Sequence, residues 1–149
     1  DQRLRERGAR LKYNPLPEML AGKRVIVVDD SIVRGTTTPH VVAMIRGAGA
    51  TEVHMRITTP QIQHPCFYGV DMATKDQLIG AHMTVEQVRT HIGADSLGHL
   101  TLDRTIAATN QPEGDLCTAC FSGQYPGVVP LQLDKLALGA AEVPAAATV

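Results

Sequence analysis

A chain of 149 residues with 44% hydrophobic content is long enough for one ordinary domain, and with two Phe, three Tyr and no Trp its core must be aliphatic. A formal charge of −1 excludes an electrostatic case for nucleic-acid or membrane binding. No apolar run reaches membrane-span length, no signal-peptide pattern appears, and three cysteines cannot close a disulfide framework, so the composition points to a reducing, cytoplasmic setting.

The chain opens with Arg3, Arg5, Arg7, Arg10 and Lys12, interrupted by Asp1 and Glu6, which reads as the solvated face of a helix tail over residues 1–11. Asn14-Pro15-Leu16-Pro17 breaks that helix, and Gly22-Lys23 turns into a first strand over residues 24–28. The run Val25-Ile26-Val27-Val28 lacks alternation, as expected of a parallel strand buried on both faces. Thr38 then reads as an N-cap with Pro39 in the first helical turn. Val41, Val42, Ile45 and Ala48 share one face of this helix, which ends at Gly47 or Gly49.

A second strand over residues 52–58 alternates Val53, Met55 and Ile57 against His54, Arg56 and Thr58, so one face should be wet or meet another part of the protein. Pro60 and Pro65 force an irregular passage to Cys66. Thr74-x-x-Gln77 and Thr84-x-x-Gln87 match capping boxes that start short helices. Residues 97–102 are ambiguous, residues 103–108 read as a further helix, and the loop over residues 110–115 delivers Cys117-x-x-Cys120. The end of the chain, residues 127–149, reads as a flexible tail rich in Ala, Leu and Val.

The chemistry concentrates after the first strand, in Asp29-Asp30-Ser31-Ile32-Val33-Arg34-Gly35-Thr36-Thr37. Paired acids at the C-terminal end of a parallel strand lie where open α/β sheets bind ligands. Residues 31–37 offer backbone N–H groups and hydroxyls just before a helix N-terminus, a favourable place for a phosphate. Carboxylates for a ribose diol or Mg²⁺, followed by donors for a phosphate, describe a sugar-phosphate site. An Asp-Asp pair alone is more often a turn after a strand; the following loop tips the balance. Arg34 is either a phosphate contact or a salt-bridge donor beside the helix. Cys117-x-x-Cys120, with Cys66, suits a metal, a cluster or a redox pair. With His64 the three thiols also make a candidate Cys₃His zinc site, although His64 and Cys66 are separated only by Pro65.

Lys23-Arg24-Val25, the Asp29 to Thr37 motif, His64-Pro65-Cys66-Phe67-Tyr68-Gly69-Val70-Asp71 and Cys117-Thr118-Ala119-Cys120-Phe121-Ser122-Gly123-Gln124-Tyr125-Pro126 occur in one order. The Asp29 to Thr37 motif resembles the phosphoribosyl pyrophosphate (PRPP) loop of type I phosphoribosyltransferases. Together the four segments resemble the C-terminal part of amidophosphoribosyltransferase, the glutamine-dependent enzyme that opens purine synthesis, in its iron–sulfur form. The resemblance implies an α/β fold: the C-terminal part of a parallel sheet flanked by helices (residues 1–60), a short-helix and loop extension bearing the cysteines (61–126), and the tail (127–149).

It further implies PRPP binding by Asp29, Asp30, Ser31, Ile32, Val33, Arg34, Gly35, Thr36 and Thr37, with Mg²⁺ at Asp29 and Asp30. Cys66, Cys117 and Cys120 become three ligands of a 4Fe-4S cluster whose fourth lies outside the chain. The glutaminase domain with its nucleophile is then expected to precede residue 1, the fragment to be inactive alone, and the complete protein to be a homo-oligomer, commonly a tetramer. Two strands are also too few for a parallel sheet covered on both faces, so further strands are expected upstream. Two other readings share the motif: a different phosphoribosyltransferase, and a PRPP-binding or metal-stabilised module without catalysis.

Overall fold

The computed structural model describes residues 15–72 and 74–127. The expected helix over residues 1–11 and the expected tail beyond residue 127 lie outside them. A one-turn helix α1 (Pro17–Leu20) starts at a proline, whose fixed φ suits the first helical position. Strands β1 (Arg24–Asp29), β2 (Glu52–Ile57) and β3 (Ser96–His99) form a parallel sheet in the order β1-β2-β3. The register aligns Asp29 with Ile57 and Ile57 with His99, so the C-terminal ends of all three strands share one edge. Helix α2 (Thr38–Gly47) connects β1 to β2. Between β2 and β3 come a 3₁₀ turn (Lys75–Gln77), α3 (Ile79–His82) and α4 (Val85–Ile92). After β3 follow α5 (Leu102–Thr109), a second 3₁₀ turn (Glu113–Asp115) and α6 (Ala119–Ser122).

One sheet face carries the main core. Met55 and Val53 from β2, Val42 from α2, and Val88 and Ile92 from α4 are fully buried there, each contributing about 1.5–3 kcal/mol. The alternation read in the second strand is therefore real: Val53, Met55 and Ile57 point inward. On the other face His54 bonds Glu52 (2.8 Å) and Ser96 (2.8 Å), and Arg56 donates to Ser96 Oγ (3.0 Å). Burial of β1 on both faces does not hold in this chain. Val25 and Val27 are half-buried, but Ile26 and Val28 are 65% and 66% exposed, because no described element packs on that side of the edge strand.

Three other expectations change. The ambiguous residues 97–102 overlap β3, a third strand that the sequence alone did not resolve. Helix α2 starts one residue earlier than read, with Thr37 as its N-cap and Thr38 as its first, buried residue. Thr84 and Gln87 do form a reciprocal capping box, whereas Thr74 starts only a 3₁₀ turn without a side-chain cap. No helix among the described residues is long and apolar enough to cross a membrane.

Candidate functional site

Backbone order builds the first site. β1 ends at Asp29, whose Oδ1 accepts the Asp30 N–H (3.0 Å), while the Ser31 hydroxyl donates to Asp30 Oδ1 (3.1 Å). The end of β2 braces this corner: Thr58 N–H donates to the Asp29 carbonyl (3.0 Å) and the Thr59 hydroxyl to the Asp30 carbonyl (3.0 Å). From β3, His99 donates through Nδ1 to the Thr59 carbonyl at 3.0 Å. Burial pushes the His99 imidazole below its ordinary value, against the opposing pull of that carbonyl. The neutral ring is favoured, and its Nε2 is a buried atom with no partner among the described residues.

Residues 31–38, together with Asp29 and Val41, line a cleft of about 220 Å³. Gly35 is buried with φ +64°, a left-handed conformation that favours glycine, and it turns the chain from the acids toward α2. Among the described residues, the backbone N–H groups of Gly35, Thr36, Thr37 and Thr38 donate to no other protein group. They sit at the positive end of α2, so the cleft is a cradle for an anion.

The structure brings eight of the nine motif residues to this cleft; Asp30 alone is not among its walls. Arg34 lines it, and its Nε donates to Gln77 Oε1 (2.8 Å), an amide and not the carboxylate that a salt bridge would need. Thr38 and Val41 were missed. Thr38 could have been found, since it continues the hydroxyl run of Thr36 and Thr37. Val41 could not, because one apolar residue on a helix face looks like core.

The second site gathers the cysteines. Cys66 and Cys120 are half-buried against a satellite cluster of Ile62, Met72 and Leu78, and Cys117 is exposed. The Gln63 and His64 N–H groups both donate to the Cys120 carbonyl (3.0 and 3.1 Å), joining two segments far apart in sequence. Burial pushes the Cys120 thiol up, and the neighbouring thiols of Cys66 and Cys117 add to that. Burial followed by the same thiols also raises the Tyr125 hydroxyl, which donates to the Pro65 carbonyl at 2.8 Å.

Among the described residues no group of three or more His, Cys, Asp or Glu is assembled tightly enough to hold a metal ion. His64 packs against Gly123 (φ +74°), where an added Cβ would lie 2.9 Å from its ring. Cys66, Cys117 and Cys120 thus place three soft donors in this one region.

Comparison with known proteins decides the kinship. No protein-family model matches the chain. It is 52% identical over 134 residues to an amidophosphoribosyltransferase of Synechococcus elongatus, which covers 90% of the chain and 27% of the relative. Among solved structures it matches the glutamine PRPP amidotransferase of B. subtilis complexed with ADP and GMP, at 46% identity and TM-score 0.73 over 85% of the chain and 29% of the other. In sequence and fold, the chain belongs with the amidophosphoribosyltransferases. A structure of the allosteric regulatory enzyme of purine biosynthesis matches similarly, at 44% identity and TM-score 0.76 over 88% of the chain and 29% of that protein. The chain spans about a quarter of the length of the amidophosphoribosyltransferases it matches in sequence.

Proposed function

We propose that this chain supplies the sugar-phosphate half of an amidophosphoribosyltransferase site, in a protein that converts PRPP, glutamine and water to 5-phosphoribosylamine, glutamate and pyrophosphate. The observation that carries the reading is the set of unengaged N–H groups from Gly35 to Thr38 beside Asp29, at the C-terminal edge of a parallel sheet. Those donors bind the 5′-phosphate, which is remote from the bond that breaks, and its binding energy positions the ribose.

Displacement of pyrophosphate at the anomeric carbon builds positive charge on the sugar. Asp29 and Asp30, the two acids at the strand end, hold the ribose hydroxyls and favour that charge. Asp29 and Asp30 are the residues that would hold Mg²⁺, which would supply positive charge for the departing pyrophosphate. Glutamine hydrolysis belongs to the remaining three-quarters of the protein. Cys66, Cys117 and Cys120 hold a 4Fe-4S cluster in a structural role, with a fourth ligand outside residues 1–149, and the protein works in the cytoplasm as a homo-oligomer.

Calorimetric titration of the complete protein with PRPP and Mg²⁺, paired with an assay for pyrophosphate release in the presence of glutamine, tests the reading. Saturable PRPP binding with stoichiometric pyrophosphate and glutamate is expected. A folded protein that binds no PRPP would sink the assignment; one that binds it without turnover would reduce the chain to a PRPP-sensing module.

A further inference from the structure

The phosphate loop is held from outside as well as built from its own residues. Gln77 reads from sequence as the closing residue of a capping box, yet its amide oxygen instead accepts from Arg34 Nε at 2.8 Å. Two residues on, the Ile79 N–H donates to the Val33 carbonyl at 2.9 Å. The Ile79 side chain lies beneath Gly35 so closely that an added Cβ would meet its Cδ1 at 2.5 Å. From α4, His91 Nε2 donates to the Gly35 carbonyl at 3.3 Å. Three consecutive loop residues are thus gripped by one segment more than forty residues later in the chain.

The grip has a chemical logic. A phosphate cradle needs N–H groups that point at the ligand and stay free, so the loop cannot stiffen itself with its own donors. Its carbonyls and its one long side chain are what remain, and these are the groups that Ile79, His91 and Gln77 engage. Val33 also packs on the satellite cluster that Cys66 and Cys120 line, so the grip is continuous with the cysteine-bearing segment.

We infer that Gln77, Ile79 and His91 are positioning residues that clamp the phosphate loop in its ligand-binding shape without touching the ligand. This rests on the PRPP reading above and deepens it. Removing a clamp contact lets the loop sample other conformations, and the apparent affinity falls by the fraction that remains competent. The loss appears in PRPP binding and not in the chemical step.

The test uses the complete protein with Gln77→Ala, His91→Ala, His91→Gln and Asp29→Asn. PRPP and glutamine kinetics are measured together with amide exchange over residues 33–37. Gln77→Ala and His91→Ala should each raise the PRPP KM about three- to tenfold, as expected for one modest hydrogen bond. The kcat and glutamine KM should stay within about twofold of wild type, and exchange in the loop should quicken. His91→Gln retains an N–H able to reach the Gly35 carbonyl and should restore both readouts.

Unchanged PRPP KM in both alanine variants, with PRPP turnover lost in Asp29→Asn, would leave the PRPP reading standing and overturn the clamp. Faster exchange without a KM change, or glutamine KM and kcat shifting in parallel, would show a merely structural role and overturn it too. Normal PRPP kinetics in Asp29→Asn would overturn the underlying reading and the clamp with it.

Discussion

On the reading proposed above, the phosphate loop and the cysteine cluster are two answers to one problem, holding a charged group in place. The loop is held on several sides: among the described residues its N–H donors engage no protein group, Gly35 is fixed at φ +64°, and neighbouring elements hold it from behind. The cysteines are brought near one another but not into a ligand set, and the Cys120 thiol is pushed toward its neutral form. The difference follows from chemistry. Backbone N–H groups are neutral dipoles that can be arranged in advance at little cost, whereas three thiolates gathered without a cation would repel one another. An anion site can therefore be built from the backbone alone, whereas a site of thiolates needs its cation to complete it.

The comparison is broken most severely at the cysteines. Anaerobically purified complete protein should be brown, and Cys117→Ser should lose most of its iron and inorganic sulfide together. One tightly bound zinc in a colourless protein would instead overturn the iron–sulfur assignment. In the loop, Gly35→Val combines a left-handed φ with a Cβ placed 2.5 Å from Ile79, strain of about 1–3 kcal/mol at such a residue. PRPP affinity should fall by roughly one to two orders of magnitude while glutamine binding is spared. An unchanged PRPP titration would show that preorganisation of this loop does not matter.

A smaller effect sharpens the contrast from the other side. Gly123→Ala meets a φ of +74° and the His64 ring at 2.9 Å, which should cost about 1–2 kcal/mol of stability. The loss should register in thermal melting and in cluster retention, with PRPP affinity nearly unchanged. Equal loss of PRPP affinity would mean that the two regions are not separable.

The mildest test is pH. His99 has a folded pKa below its ordinary value of 6.5, so its contribution to stability is complete above that value and is lost as pH falls through the folded pKa. Asp95, held low first by the Val53 N–H at 2.6 Å and then by Arg46, loses its contribution only below the ordinary carboxylate value of 3.8. Denaturant midpoints should decline in two steps on acidification, and His99→Gln should remove only the upper one. A profile flat down to pH 4 would contradict the burial of the His99 ring.

Much of the site was legible because it is contiguous. The β-branched run before Asp29, the glycine at 35 and the proline at 39 are local statements, and the strand, turn and helix they specify need no distant partner to be recognised. The alternation of Val53, Met55 and Ile57 declared a core face for the same reason. Thr84 and Gln87 declared a helix start through a bond that spans three residues.

Only the tertiary structure decided the rest. Ser96–His99 is too short and too mixed to declare itself, and becomes a strand because β2 offers it a parallel partner with matching register. Gln77 carries the same local pattern as Gln87, yet a guanidinium more than forty residues earlier in the chain competes for its amide and wins. The apolar run of β1 announced burial, but burial is a property of what packs against a face. Among the described residues nothing covers Ile26 and Val28, while Val27 meets the core. Local geometry is written in neighbouring residues; exposure, diverted hydrogen bonds and the support behind the loop depend on which distant groups arrive first within reach.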